Sequence, residues 1–214
     1  MGTHLANTHP ARATQLNADE RTTEGVQANS RWTSTTGIVL VVLLAVEGAT
    51  ILDIRGLISW HIVVGMILIG PILLKTATTG YRFLRYYTGS SAYVRNGPPV
   101  PLLRLLGPLV VLTSVAVMAT GIGLIATGPN AGWLLTAHQA SFIVWFAVMT
   151  VHVLGHVRQA AMGTWEEVRT RSAGRQLRLG LLVILLLAGV GAGAAVLPAA
   201  NAWLHRPVHA DSGR

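Results

Sequence analysis

The chain has 214 residues and no cysteine, and 51% of its residues are hydrophobic while 11% are charged. Soluble domains carry about 25% charged residues, so this composition indicates a membrane protein. The lack of cysteine excludes disulfides, thiolate-held iron–sulfur clusters, a thiol nucleophile and covalent c-type haem. Any redox centre must therefore use histidine or other non-thiolate ligands, or belong to a partner.

Five apolar segments follow a polar N-terminal region. Residues 1–36 show neither apolar periodicity nor a signal-peptide pattern, and we expect a disordered cytoplasmic tail there. Each apolar segment is long enough to cross a hydrocarbon core as a helix, with expected bounds of about 37–54, 58–76, 105–127, 133–157 and 179–197. Residues 199–214 are expected to form a polar tail. The sequence therefore predicts an all-α, polytopic membrane helix bundle.

Basic residues concentrate in two connections of this chain, whose net charge is +8. The end of segment two and the connection to segment three together contain five basic residues and no acid: Lys75, Arg82, Arg85, Arg95 and Arg104. The connection between segments four and five contains five arginines against two glutamates. The positive-inside rule places both in the cytoplasm, so the N-terminus is expected inside and the C-terminus outside. A nucleic-acid surface would need a continuous basic face, and we expect no such partner.

Four of the eight histidines lie in or beside the apolar segments. These are His61, His138, His152 and His156, whereas the other four lie in the polar tails. Ionisable residues at membrane depth usually face the bundle interior and serve a pathway or a cofactor. A histidine at a membrane boundary is also often an interfacial residue or a hydrogen-bond partner of a neighbouring helix.

His61 and His138 form the favoured pair. They lie near the outer starts of segments two and four, which run in the same direction. Two imidazoles at one depth on facing helices can ligate a single haem iron from opposite sides. We therefore predict one haem b, with His61 and His138 as axial ligands.

A second, inner haem lacks an identified pair of ligands. His152 follows His138 by 14 residues, or about 21 Å along a helix, and His156 returns to the same face after five turns. In segment two, however, the position 14 residues after His61 is Lys75. We expect this lysine to extend towards the cytoplasmic surface, so an inner haem on His152 or His156 has no clear partner ligand.

Glu47 is the acid of the first apolar segment, at roughly the depth of the predicted haem. It is either a proton acceptor near a quinone or a hydrogen-bond partner that fixes a histidine tautomer. The alternative is a protonated glutamate that bonds a neighbouring helix.

Gly189 and Gly193 form a G-x-x-x-G motif, which favours close packing within the bundle or between two copies of the chain. The string Thr120-Gly121-Ile122-Gly123 in segment three provides room either for a porphyrin face or for ordinary helix packing.

Several of these features resemble the bacterial membrane-embedded cytochrome b superfamily, which includes the b-type subunits of respiratory and molybdopterin-linked oxidoreductases. The resemblance rests on His61-Ile-Val-Val-Gly65, Gly70-Pro71, Lys75 and the histidines of segment four. The stretch from Thr79 to Gly89, with Asn96-Gly97-Pro98-Pro99, also resembles a poorly characterised branch of small bacterial membrane proteins. The similarity covers about residues 37–158.

This resemblance implies a four-helix haem-binding core in the bacterial inner (plasma) membrane. It also implies electron transfer between a quinone pool and a redox partner protein or oxidoreductase subunit. The ligand roles pass to His61 and His138, and then to His152 and His156, while Lys75 departs from the two-haem pattern. The chain would be at most the electron-transfer subunit of an oxidoreductase.

Two other classes of function are open at this point. A small transporter or metal-ion permease would use the histidines as a translocation stripe, but segments three and five contain almost no polar residues to line such a path. A non-catalytic membrane assembly subunit would use them as structural groups. The chain has no G-x-S-x-G motif and no Walker loop, so nothing indicates a hydrolase or a P-loop nucleotide enzyme.

Overall fold

A computed structural model describes the backbone of residues 10–95, 101–169 and 174–205, and the side chains of 25–91, 93–94, 105–155 and 174–205. All regular elements in these ranges are helices: α1 (Pro10–Leu52), α2 (Ile54–Tyr87), α3 (Ser91–Arg95), α4 (Pro101–Thr127), α5 (Gly132–Arg169) and α6 (Arg175–Leu204). Within the described residues, five of them are long and apolar enough to cross a membrane. The predicted all-α, multi-pass membrane bundle is confirmed.

Helix α1 begins well before the first apolar segment. The sequence predicts a disordered tail up to residue 36, whereas the structure places residues from Pro10 onward in a helix, and residues 1–9 lie outside the described part. Two bonds join this extension to α2: Asn29 Nδ2 donates to the Thr78 carbonyl at 3.2 Å, and Lys75 Nζ donates to the Thr33 carbonyl at 2.7 Å. Tertiary contact therefore supports a helix that the polar composition does not predict.

A one-residue turn joins α1 to α2. Asp53 is the N-cap of α2, and its side-chain oxygen accepts from the Gly56 amide at 3.1 Å. An aspartate at this position pairs one of the amides that the first helical turn leaves open. The short connection holds the end of α1 beside the start of α2.

The five long helices pack in a ring. Helix α2 packs mainly on α6 and α1, α1 also packs on α5, and α5 packs on α4; smaller contacts of α4 with α6 and α2 close the ring. Between α4 and α5 the chain turns at Gly128, whose φ of +70° is a left-handed conformation that glycine adopts without strain. The turns α1–α2 and α4–α5 therefore lie at the same end of the bundle.

Helix α6 approaches α2 through the G-x-x-x-G motif. A Cβ atom added to Gly189 would lie 2.6 Å from Ile67 Cα, and one added to Gly193 would lie 3.1 Å from Val63 Cγ1. The glycines therefore let two backbones meet at a distance that a side chain would prevent. Of the two settings that the motif allows, the structure shows packing within the bundle.

The end of α6 differs from expectation. The sequence predicts a tail from residue 199, but α6 continues through Pro198 to Leu204, and residues 206–214 lie outside the described part. A proline removes one backbone hydrogen bond of a helix, a loss that membrane helices tolerate when neighbouring groups compensate. Ala200 is fully buried and Trp203 is half-buried, so packing against the bundle holds this last segment.

Large apolar side chains cover the outside of the ring. Exposed examples on three helices are Val42, Leu112 and Leu154, with 58%, 67% and 72% of their surface accessible. Trp60 and Trp133, at the starts of α2 and α5, are also exposed. Apolar flanks with tryptophan near the helix ends are typical of a surface that faces lipid and its interface with water.

Candidate histidine site

A cavity of about 250 Å³ lies between the helices at the end of the bundle that carries the α1–α2 and α4–α5 turns. Its walls come from α1, α2, α4 and α5, with Trp203 of α6 at one side. The polar side chains in the lining are few: Glu47, His61, His138 and Gln139. Isoleucine, leucine, methionine and phenylalanine make up most of the remainder. An apolar chamber with a few convergent polar groups is the usual form of a cofactor site.

His61 projects from the third turn of α2 towards the end of α1. Its Nδ1 lies 3.0 Å from Glu47 Oε1 and 3.0 Å from Thr50 Oγ1. Glu47 and Thr50 are three residues apart, so both lie on one face of α1. Thr50 is buried, and the side chains of His61 and Glu47 are 21% and 15% exposed. The short turn at Asp53 therefore places two side-chain oxygen atoms, one from Glu47 and one from Thr50, beside the same ring nitrogen of His61.

His138 is held in a similar way by the neighbouring pair of helices. It projects from the second turn of α5, and its Nδ1 lies 3.0 Å from Thr120 Oγ1 on α4. A Cβ atom added to Gly121 would lie 3.1 Å from His138 Cε1. Gly121 therefore makes room for the ring of His138.

The hydrogen-bond network favours the same tautomer in both rings. The Thr50 hydroxyl donates to the Glu47 carbonyl at 2.6 Å, and the Thr120 hydroxyl donates to the Ala116 carbonyl at 2.8 Å. A hydroxyl has one proton to donate, so while that proton is on the backbone carbonyl the threonine oxygen can only accept from the histidine beside it. Nδ1 is then the protonated nitrogen of both rings, and Nε2 of both rings keeps its lone pair.

The two rings face the same cavity from opposite walls. Their centroids are 6.3 Å apart, and the ring planes meet at 76°. A metal–imidazole bond is about 2.0–2.1 Å long, so two imidazoles on opposite sides of one ion have centroids about 6 Å apart. At the observed separation, both imidazoles would be within reach of one metal ion. Nδ1–H bonds to fixed acceptors are also the usual support of metal-binding imidazoles.

Two imidazoles are a donor set that would hold a haem iron if the group were bound. Within the described residues there is no group of three or more His, Cys, Asp or Glu side chains that could hold a metal ion. His61 and His138 bring two imidazoles, and the apolar lining matches the faces of a flat macrocycle. The described residues thus offer two imidazoles and an apolar lining, and the haem itself stays a prediction.

Lys75 lies elsewhere in the fold and has a different role from the one expected. The sequence predicts that its side chain extends to the cytoplasmic surface, but Nζ donates to the Thr33 carbonyl and the residue is half-buried. The hypothetical Cβ of Gly37 would lie 3.1 Å from Nζ, so a glycine on α1 admits the ammonium group. Lys75 joins two helices where a second histidine ligand would stand.

The other two predicted ligands are not part of this chamber as described. His152 is half-buried on α5 and lies more than two helical turns beyond the part of α5 that lines the cavity. The backbone of His156 belongs to the same helix, but its side chain lies outside the described residues. The structure thus brings together His61, His138 and Glu47, and an inner haem site stays a prediction.

The sequence does not single out Thr50, and it predicts Thr120 only as part of a string of small residues, not as a hydrogen-bond partner of His138. Each threonine lies in the last part of one helix, and its histidine lies near the start of the next helix, after the turn that joins the two. Both pairs are near the same end of the bundle. The available signal was a threonine late in one apolar segment, followed by a histidine early in the next. That signal is weak because threonine is common in membrane helices, where its hydroxyl usually bonds its own backbone.

Comparison of the chain with models of protein families, with curated proteins and with solved structures gives no match. The likeness to the cytochrome b superfamily therefore stays a prediction from the sequence.

Proposed function

We propose that the protein is a membrane b-type electron carrier that holds one haem between His61 and His138. The observation that carries this proposal is the pair of facing imidazoles, with centroids 6.3 Å apart and each Nδ1 held by a side chain of the adjacent helix. This arrangement directs the lone pair of each ring to Nε2, the nitrogen that would bind iron. When bound, haem supplies reversible one-electron transfer at the iron.

The residues of the chain have defined tasks in this proposal. His61 and His138 bind and orient the group from opposite walls, and Thr50 and Thr120 fix their tautomers. The isoleucines of the lining, among them Ile58 and Ile62, exclude water from the chamber. Trp203 closes the side towards α6. No group of the chain forms or breaks a bond.

The electron donor and acceptor follow from the resemblance. A quinone dissolved in the membrane is the proposed partner on one side, and a redox protein or oxidoreductase subunit is the proposed partner on the other. The chain would then be an electron-transfer subunit, with the quinone and the second protein supplying the net reaction.

The proposed orientation places the chamber near the extracytoplasmic surface of the bacterial inner membrane. Arg82 and Arg85 lie near the end of α2, and Arg175 and Arg178 lie at the start of α6, which is the same end of the bundle. The positive-inside rule assigns that end to the cytoplasm. The histidine chamber lies at the other end, so electrons would be exchanged on the outer side.

The visible spectrum of the purified protein tests this function. From haem-replete cells we expect a coloured protein whose dithionite-reduced-minus-oxidised spectrum has the sharp α-band of six-coordinate haem b. A reduced quinone analogue should produce the same reduced spectrum without dithionite. Colourless protein would contradict the electron-carrier proposal. Coloured protein that no quinol reduces would contradict the proposal that a quinone is its redox partner.

A further inference from the structure

The two histidines are supported by unequal partners. His138 Nδ1 bonds a neutral hydroxyl, that of Thr120, whereas His61 Nδ1 bonds both a hydroxyl and the Glu47 carboxyl group. Hydrogen bonds to a carboxylate are shorter and about twice as strong as those between neutral groups. The helix pairs α1–α2 and α4–α5 therefore offer two chemically different imidazoles.

Glu47 is positioned for this bond alone within the described residues. Its Oε1 contacts His61 Nδ1, while Oε2 is buried and has no hydrogen-bond partner in the part of the chain that the structure describes. A Cβ atom on Gly65 would lie 3.6 Å from Oε1, in ordinary contact, so α2 passes close to the carboxyl group without displacing it. The side chain is thus held against one ring in a chamber with an apolar lining.

We propose that Glu47 is a positioning residue that makes His61 the more basic of the two axial ligands and lowers the midpoint potential of the haem. The inference rests on the proposed function. A carboxylate that accepts the Nδ1 proton increases electron density on the imidazole, and this raises the basicity of the ligand. Oxidised iron carries one more positive charge than reduced iron, so a more basic ligand stabilises the oxidised state.

The Glu47→Gln variant tests this inference because it keeps the length of the side chain and an oxygen acceptor. Potentiometric titration of the Soret band at one fixed pH should give a higher midpoint potential than in the unaltered protein, with the haem content unchanged. Glu47→Asp keeps the charge but moves it away from His61, and it should raise the potential by a smaller amount. If Glu47→Gln fails to accumulate, the Glu47→Asp variant still tests whether the carboxylate of Glu47 lowers the midpoint potential.

Asp53→Asn is the matched control. It removes a carboxylate at the same end of α1, six residues further along the chain, and asparagine serves equally well as an N-cap. Asp53 is exposed to solvent, so water screens its charge, and the midpoint potential should stay that of the unaltered protein.

Two failures are distinguishable. Haem-loaded Glu47→Gln and Glu47→Asp with an unchanged potential would overturn the role of Glu47 and leave the electron carrier standing. An unaltered protein without haem would overturn the electron carrier, and the role of Glu47 with it. A shift of equal size in Asp53→Asn would also contradict the inference, because the effect would then be one of general charge.

Discussion

At the scale of single residues, the site depends on the atoms that hold the histidines as much as on the histidines themselves. Thr50 and Thr120 each donate to a backbone carbonyl of their own helix and lie within hydrogen-bond distance of a ring nitrogen on the next helix. Because each hydroxyl donates its proton to the backbone, its oxygen is left as an acceptor, which favours the histidine tautomer protonated at Nδ1. This geometry depends on how adjacent helices are rotated, which the order of residues in one chain does not show.

The Thr120→Val substitution tests that role at His138. Valine has nearly the same shape but cannot accept the Nδ1 proton, so the ring loses its orientation. Loss of such a supporting bond typically costs about 10–100-fold in metal affinity, and we expect a comparable loss in haem affinity. The measurement is a titration of haem-depleted protein with hemin, followed by absorbance.

Thr113→Val is the control for this substitution. Thr113 also lies on α4, but its hydroxyl bonds the carbonyls of its own helix, at Leu109 and Val110. Its haem affinity should equal that of the unaltered protein. Equal affinities in Thr113→Val and Thr120→Val would show that the hydroxyl of Thr120 does not support His138.

At the scale of the elements, long apolar runs were sufficient to predict the five membrane helices, whereas their ends were not predictable. Polar side chains in 10–36 gave no periodic pattern, and contacts from Lys75 and Asn29 to α1 decide that part of the fold. Pro198 marked an expected end of α6, but burial of Ala200 carries the helix past it. Helix ends thus depend on neighbours that are distant in the chain.

The contact of α2 with α6 makes a prediction about glycine. In Gly189→Ala the new Cβ would stand 2.6 Å from Ile67 Cα, so the two backbones must separate. Overpacking of this kind typically costs about 1–3 kcal/mol. We expect a loss of that order in the free energy of unfolding, measured by steric trapping or denaturant titration in detergent.

Gly191→Ala is the matched control on the same helix. Nothing lies within 4 Å of its hypothetical Cβ, and alanine is favoured over glycine in a helix interior by about 1 kcal/mol. Its stability should equal or exceed that of the unaltered protein. A Gly189→Ala variant as stable as Gly191→Ala would contradict the close approach of α2 and α6.

At the scale of the whole molecule, the distribution of charge predicts the orientation in the membrane. Since the chain has no native cysteine, single cysteines report sidedness without background. In Ser91→Cys and Asn130→Cys, the new thiols lie at exposed positions at opposite ends of the bundle. A membrane-impermeant maleimide applied to intact cells should label Asn130→Cys and leave Ser91→Cys unlabelled until the membrane is opened. The reverse pattern would contradict the proposed orientation.

The number of haems per chain tests the central claim most directly. We expect one haem b per polypeptide in the purified protein, by pyridine haemochrome assay against amino-acid analysis. That haem should be lost in His61→Ala and in His138→Ala and kept in His152→Ala. No haem in the unaltered protein, or full retention in His61→Ala and His138→Ala, would contradict a single haem held between these two histidines.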